Sequence, residues 1–309
     1  MTDYDGKDRP EHYELPDGDE RTELRNGIVR ALYALPMHFT SPINVEGIEV
    51  NDLFSINTLL GGTIEAQTVM LLNSLRSIWD PQGKWADKEF RRYPESFPDV
   101  RLVGSNKDDS PLIGIELKGW YLLSKESEPS LRYKASADAV TEWDLICCVP
   151  WGLSNVLSGK PVVYEPYVEQ AKFASDMRTY YWNHRRGDNS KRDCGIHHPA
   201  TTPYPKPGTQ YVDVPNQDGG GNFGRIARVD GLMANWVDES MDTLMAGEVL
   251  GVVLQAILRR QAKRGNRSGI EQHRSQGASG WPARPQGVHA GRAATRTFER
   301  HRRSVPEVD

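Results

Sequence analysis

Phe97 to Trp120 reads FPDVRLVGSNKDDSPLIGIELKGW, and the rest of the chain takes its meaning from this stretch. Two short apolar runs, DVRLVG and PLIGIELKG, are joined by SNKDDSP, a polar turn of the kind that closes a hairpin. Strand side chains alternate between faces, so Glu116 and Lys118 project together while Ile115 and Leu117 point the other way. When the two runs pair, Asp99 at the head of the first arrives beside Glu116 and Lys118 on the second. Two carboxylates and one ammonium then share a small space at a sheet edge.

That grouping has a chemical use. Two carboxylates suit a hard divalent ion such as Mg²⁺, which takes oxygen ligands and keeps several waters. Such an ion stabilises a charged phosphoryl transition state and lowers the pKa of a bound water. A lysine beside that water holds it in line for attack or helps to deprotonate it. These are the parts of a metal-dependent phosphodiesterase. A plainer reading makes Asp99 a turn residue and Glu116 with Lys118 a solvated strand face. The apolar run that continues through Trp120, Tyr121, Leu122 and Leu123 counts against it.

Pro98 and Asp99, followed by Glu116, Leu117 and Lys118, resemble the two halves of the motif of the PD-(D/E)xK nuclease superfamily, which includes most type II restriction endonucleases. The motif covers only Pro98 to Lys118, but the order of elements from about residue 45 to 185 is also similar to the family core. The resemblance implies an α/β fold with a restriction-endonuclease-like core, a small mixed β-sheet flanked by helices. It implies Mg²⁺ as cofactor, held by Asp99 and Glu116 with the main-chain carbonyl of Leu117 as a further ligand. Lys118 would position or activate the water. Restriction-type members often carry an acid on a helix before the motif strand, and Glu65 is the best match, followed by Gln67. The implied activity is hydrolysis of double-stranded DNA, as a type II restriction enzyme acting as a homodimer on a palindromic site. A repair or junction-resolving nuclease of the same fold, or a non-catalytic nucleic-acid-binding protein, are the alternatives.

Outward from the motif, Ile64, Val69, Leu71, Leu72, Leu75, Ile78 and Trp79 give a helical apolar face. Thr63, after Gly61 and Gly62, is the expected N-cap, which would leave Glu65 near a positive helix end and open to a purely electrostatic role. Upstream, Leu24, Ile28, Leu32 and Leu35 predict a shorter helix before Pro36. Downstream, WDLICCVP (Trp143 to Pro150) reads as a buried strand, with Cys147 and Cys148 as core residues. Tyr164 to His184 reads as a second long helix with Pro166 near its first turn.

Two stretches mix cations with aromatics, the pattern of a phosphate-tracking surface. One holds Lys84, Lys88, Arg91 and Arg92 among Trp85, Phe90 and Tyr93. The other holds Arg185, Arg186, Lys191 and Arg192 after Tyr180, Tyr181 and Trp182. Each reads equally well as an ordinary solvated segment. Cys194, His197 and His198 lack a second ligand pair and read as a loop.

Composition bounds the rest. Apolar residues make up only 38% of the 309, so part of the chain is expected to lie outside the core. Residues 1–22 read as a flexible N-terminal segment, 23–259 as the nuclease domain, and 260–309 as a basic, disordered tail or the product of a shifted reading frame. From Arg259 onward eleven Arg and one Lys face four acids, a net of +8, so the overall −4 leaves −12 on the preceding 258 residues. An acidic body argues against non-specific nucleic-acid affinity and leaves room only for a local basic cleft. Three cysteines make no disulfide framework, and no apolar run reaches membrane-span length, so a reduced cytoplasm is expected.

Overall fold

The structure, a computed structural model, describes residues 9–49, 52, 55–93, 96–104, 110–124, 128–155, 157–186, 194–218, 221–233 and 236–240. The basic tail at 260–309 lies outside these residues, as do Lys191 and Arg192.

Helix α1 (Glu20–Tyr33) starts where Asp19 accepts hydrogen bonds from the amides of Arg21 (2.8 Å) and Thr22 (3.2 Å), with Glu20 and Glu23 in its first turn. Its Leu24, Ile28 and Leu32 are buried at the spacing the sequence shows. Pro36 stands in the first turn of α2 (Leu35–His38), where its missing N–H is not needed. Helix α3 (Ile56–Ser74) is followed by the single turn α4 (Arg76–Trp79), whose Trp79 indole donates back to the Leu72 carbonyl at 2.8 Å.

The sheet has six strands: β1 (Glu89–Arg92), β2 (Val100–Val103), β3 (Ile113–Tyr121), β4 (Leu145–Asn155), β5 (Ser158–Val163) and β6 (Tyr167–Gln170). Its order is β1-β2-β3-β4-β5, and β6 also pairs with β4. All pairs are antiparallel except β3 with β4, so the sheet is mixed. The expected hairpin is β2–β3, in register Val100 opposite Ile115. β4 is buried from Leu145 to Leu153, a continuous apolar run as a central strand covered on both faces requires. Helix α3 packs on β3 and β1, and α5 (Ala171–His184) packs on β4 and β6. Helices therefore flank the sheet, and the chain is α/β.

Two expectations are corrected. Thr63 is no N-cap: α3 already begins at Ile56, and Gly61 and Gly62 lie inside it. The helix backbone at Gly61 lies against Gly119 of β3, where a Cβ would stand 3.4 Å from the Gly61 carbonyl oxygen. Tyr164 to His184 is not one helix. Tyr167–Gln170 pairs with Leu145–Cys148 along the far edge of β4, and only then does α5 begin. Within the N-terminal stretch, His12 and Tyr13 contact that same region. The Tyr13 amide donates to Gln170 Oε1 (2.8 Å), its hydroxyl donates to Asp176 (2.6 Å), and the His12 ring stacks 3.8 Å from Phe173.

Candidate active site

Pairing of Val100 with Ile115 puts Asp99 one step beyond the last β2–β3 pair, where its side chain reaches the free part of the β3 edge. There Asp99 Oδ1 accepts from the Leu117 amide at 3.0 Å. Pro98 lies over Gly114, whose absent Cβ would stand 2.3 Å from the proline Cγ. The glycine is the space that seats the proline. Arg101 holds this turn from outside: its guanidinium donates to the carbonyls of Pro98 (3.1 Å) and Phe97 (2.8 Å) and to Ser96 Oγ (3.1 Å), over the Tyr93 ring. From the other side, Asp144 at the head of β4 accepts from the Gly114 and Thr141 amides, both at 2.6 Å, and from the Tyr204 hydroxyl.

Helix α3 brings the third carboxylate. Glu65 Oε1 accepts from Lys118 Nζ at 3.3 Å and from the Gly119 amide at 3.1 Å, while Oε2 faces Arg92 Nη2 at 3.3 Å. Arg92 Nη1 also donates to the Gly62 carbonyl at 3.3 Å. Glu65 is the tenth residue of α3, well past the helix's first turn, so it does not serve as complement to the helix dipole. Its three donors make it the holder of Lys118. Glu65, Asp99, Glu116 and Lys118 are thus gathered at one sheet edge, and Arg92, expected on a DNA surface, joins them.

The electrostatics are uneven. Burial, followed by the charge of Asp99, pushes the Glu116 carboxyl up to about 8. Burial also pushes Asp99 up to about 6, against the opposing hydrogen bond from the Leu117 amide and with the charge of Glu65 adding to it. Lys118 and Arg92 both pair with Glu65, and neither Asp99 nor Glu116 has an ion-pair partner among the described residues. Two under-compensated hard oxygen donors fit a divalent ion such as Mg²⁺. The Leu117 amide points to Asp99, and a strand residue's carbonyl leaves on the same edge as its amide, which makes the Leu117 oxygen a third donor of the right type. No group of three or more His, Cys, Asp or Glu side chains among the described residues is arranged to hold a metal. The fit is therefore to two carboxylates, a carbonyl and water.

The other candidates are dispersed. Lys84 pairs with Glu20 of α1 (3.2 Å), Lys88 with Asp87 (3.1 Å), Arg91 with Glu89 (2.6 Å) and Arg185 with Asp230 (3.3 Å). Arg186 lies 3.6 Å over the Trp182 ring. Cys147 and Cys148 are buried and their thiols are pushed up by that burial, as core residues should be. Cys194 is buried against the Trp182 carbonyl, and His198 contacts Asp213, so these residues form no shared site.

Sequence reasoning missed Arg101, Asp144 and the pair Arg178–Asp213. Asp144 and Arg178 carried a weak signal, a charge at the head of an apolar strand and another inside an apolar helix face. Comparison of the chain with protein-family models, with curated proteins and with solved structures gives no match.

Proposed function

We propose that this chain is a Mg²⁺-dependent endonuclease of double-stranded DNA with a restriction-endonuclease-like core, and that it acts as a type II restriction enzyme. The observation that carries this reading is the meeting of an aspartate, an ExK strand and a helix-borne glutamate at one place. Asp99 lies 3.0 Å from the Leu117 amide, and Lys118 lies 3.3 Å from Glu65. The order of elements, helix α3 before the ExK strand and β4 after it, supports the reading.

Each residue then has a task. Asp99 and Glu116 would hold the ion, with the Leu117 carbonyl beside them. Bound Mg²⁺ supplies Lewis-acid stabilisation of the phosphoryl charge and a water of lowered pKa. Lys118, tied to Glu65, presents its ammonium to the attacking water or to a non-bridging phosphate oxygen. Glu65 and the Gly119 amide fix the lysine rotamer, and Arg92 balances the second oxygen of Glu65. Asp144, Gly114 and Arg101 set the position of Pro98 and therefore of Asp99.

The test is incubation of the pure full chain with plasmid and phage DNA plus Mg²⁺. Discrete fragments are expected. Structure-dependent nicking would assign a repair enzyme instead, and binding without any cleavage would remove the catalytic reading.

A further inference from the structure

Tyr211 reaches the candidate site from an irregular segment far from the motif in sequence, and its backbone is fastened there. The Ser136 amide and Oγ donate to the Tyr211 carbonyl at 2.9 and 3.3 Å. Val212 bridges to Ala135, and the Asp213 amide donates to the Lys134 carbonyl at 2.8 Å. Asp213 in turn pairs with the buried Arg178. The half-buried ring is fixed as well. It stacks on Phe97, with centroids 5.0 Å apart and planes 20° apart. Phe97 is itself buried, and Pro98 and Asp99 follow it directly. A tyrosine so held has given up its freedom before any ligand arrives.

The charges that act on the phenol say where it lies. Burial holds its pKa above the ordinary range, the charge of Glu116 adds to this, Arg101 opposes it, and Asp99 adds again. The hydroxyl therefore stands near both carboxylates assigned to the ion. Arg101 is the side chain that clamps the carbonyls of Phe97 (2.8 Å) and Pro98 (3.1 Å), so ring, turn and acids form one assembly. Packing on Phe97 needs only the ring. A phenol that keeps its proton is in addition a neutral hydrogen-bond donor. Ionised Asp99 and Glu116 cannot donate, and Lys118 is tied to Glu65 at 3.3 Å, so a phosphate beside them gains a donor of its own from Tyr211.

We propose that the Tyr211 hydroxyl donates a hydrogen bond to a non-bridging oxygen of the phosphodiester bound at Asp99 and Glu116, which makes it a further substrate-contacting residue. This inference rests on the hydrolytic reading. A fixed donor of this kind acts most strongly where charge on the phosphoryl oxygens develops, so its loss lowers kcat more than it raises KM.

Tyr211→Phe keeps the ring on Phe97 and deletes only the hydroxyl, whereas Tyr211→Leu deletes both. With Mg²⁺ and plasmid DNA, Tyr211→Phe is expected to lose about tenfold or more in kcat, the worth of a hydrogen bond to a charged group. Its KM should stay within about threefold, and its Tm and the rise of Tm with Mg²⁺ should match wild type. Tyr211→Leu should cut as slowly and melt lower. If Tyr211→Phe cuts like wild type, the hydroxyl has no part and the inference is overturned, while cleavage by wild type leaves the Asp99–Glu116–Lys118 reading standing. If wild type cuts no DNA, that reading falls by itself, and calorimetric titration with thymidine 5′-monophosphate in Mg²⁺ decides on the tyrosine. Binding about tenfold weaker in Tyr211→Phe, with the difference gone in EDTA, keeps Tyr211 as a phosphate donor. Equal binding, or none in wild type, overturns it.

Discussion

Glu116→Gln is expected to make the metal-free protein more stable while removing its activity. The carboxyl is pushed from 4.5 up to about 8 by burial and by Asp99. A carboxyl that holds its proton more tightly folded than unfolded stabilises the fold at low pH. That contribution starts to fall near the unfolded value of about 4.5 and is gone above about 8. At about 1.4 kcal/mol per pKa unit, the full excursion is about 5 kcal/mol at pH 8.5. Part of it is repulsion shared with Asp99, and the site edge is reached by solvent, so about 2 kcal/mol is the expected gain from the neutral amide. In a domain of this size that is a rise of about 4–8 °C in Tm. Differential scanning calorimetry in EDTA measures it. The variant should melt higher than wild type at pH 8.5, and the gap should close as the pH falls below the unfolded value of 4.5, where the Glu116 carboxyl becomes protonated in both states. Mg²⁺ at pH 8.5 should raise the wild-type Tm and leave the variant's unchanged, because an ion bound only by the folded protein stabilises it. A variant that melts below wild type at pH 8.5 would show that Glu116 does not sit in a dry, repulsive place, and the metal site would lose its electrostatic basis.

Lys118→Ala should abolish cutting and leave duplex binding in Ca²⁺ within a few-fold of wild type; cleavage and gel-shift assays separate the two, and unaltered cleavage removes Lys118 from the mechanism. Gly114→Ala places a Cβ 2.3 Å from Pro98 Cγ, so the proline must move and take Asp99 with it. A loss of about 1–3 kcal/mol in urea unfolding and at least tenfold in activity is expected. Asp144→Ala leaves the Gly114 and Thr141 amides and the Tyr204 hydroxyl without their acceptor. Urea unfolding should register about 3–5 kcal/mol for these buried groups.

The β2–β3 hairpin and the strand read at Trp143–Pro150, which runs on to Asn155 as β4, were legible because alternation and unbroken apolar runs are local signals. The start of α3 was not. Gly61 and Gly62 read as a break, yet the helix runs through them and packs on β3 and β1, contacts that no local spacing shows. The residues YVEQ fit a helix or a strand by spacing alone, and the open edge of β4 at Leu145–Cys148 decides for the strand. EFRR is too short to show a period, so β1 was hidden. Asp99, Glu116 and Lys118 could be found from the motif. The contact of Arg92 with Glu65, and the clamp of Arg101 on Pro98, depend on tertiary partners that no spacing reveals.

An acidic body is a poor partner for DNA, and the candidate site answers that objection through its own charge count. Glu65, Asp99 and Glu116 face Lys118 and Arg92, a net of −1 when all are ionised, or about zero at neutral pH when Glu116 keeps its proton. A divalent ion turns either value positive and displaces that proton, since a carboxylate binds metal only when ionised. The sign of the site toward a phosphodiester is therefore set by the ion. Two results are expected. Duplex affinity should rise steeply with Ca²⁺ in wild type and hardly at all in Glu116→Gln. Mg²⁺ binding near pH 7, followed by calorimetry in buffers of different ionisation heat, should release a large fraction of one proton, falling toward none at pH 9.5. Duplex binding that ignores Ca²⁺ would place DNA recognition elsewhere on the chain, with the carboxylates playing no part in drawing the backbone in.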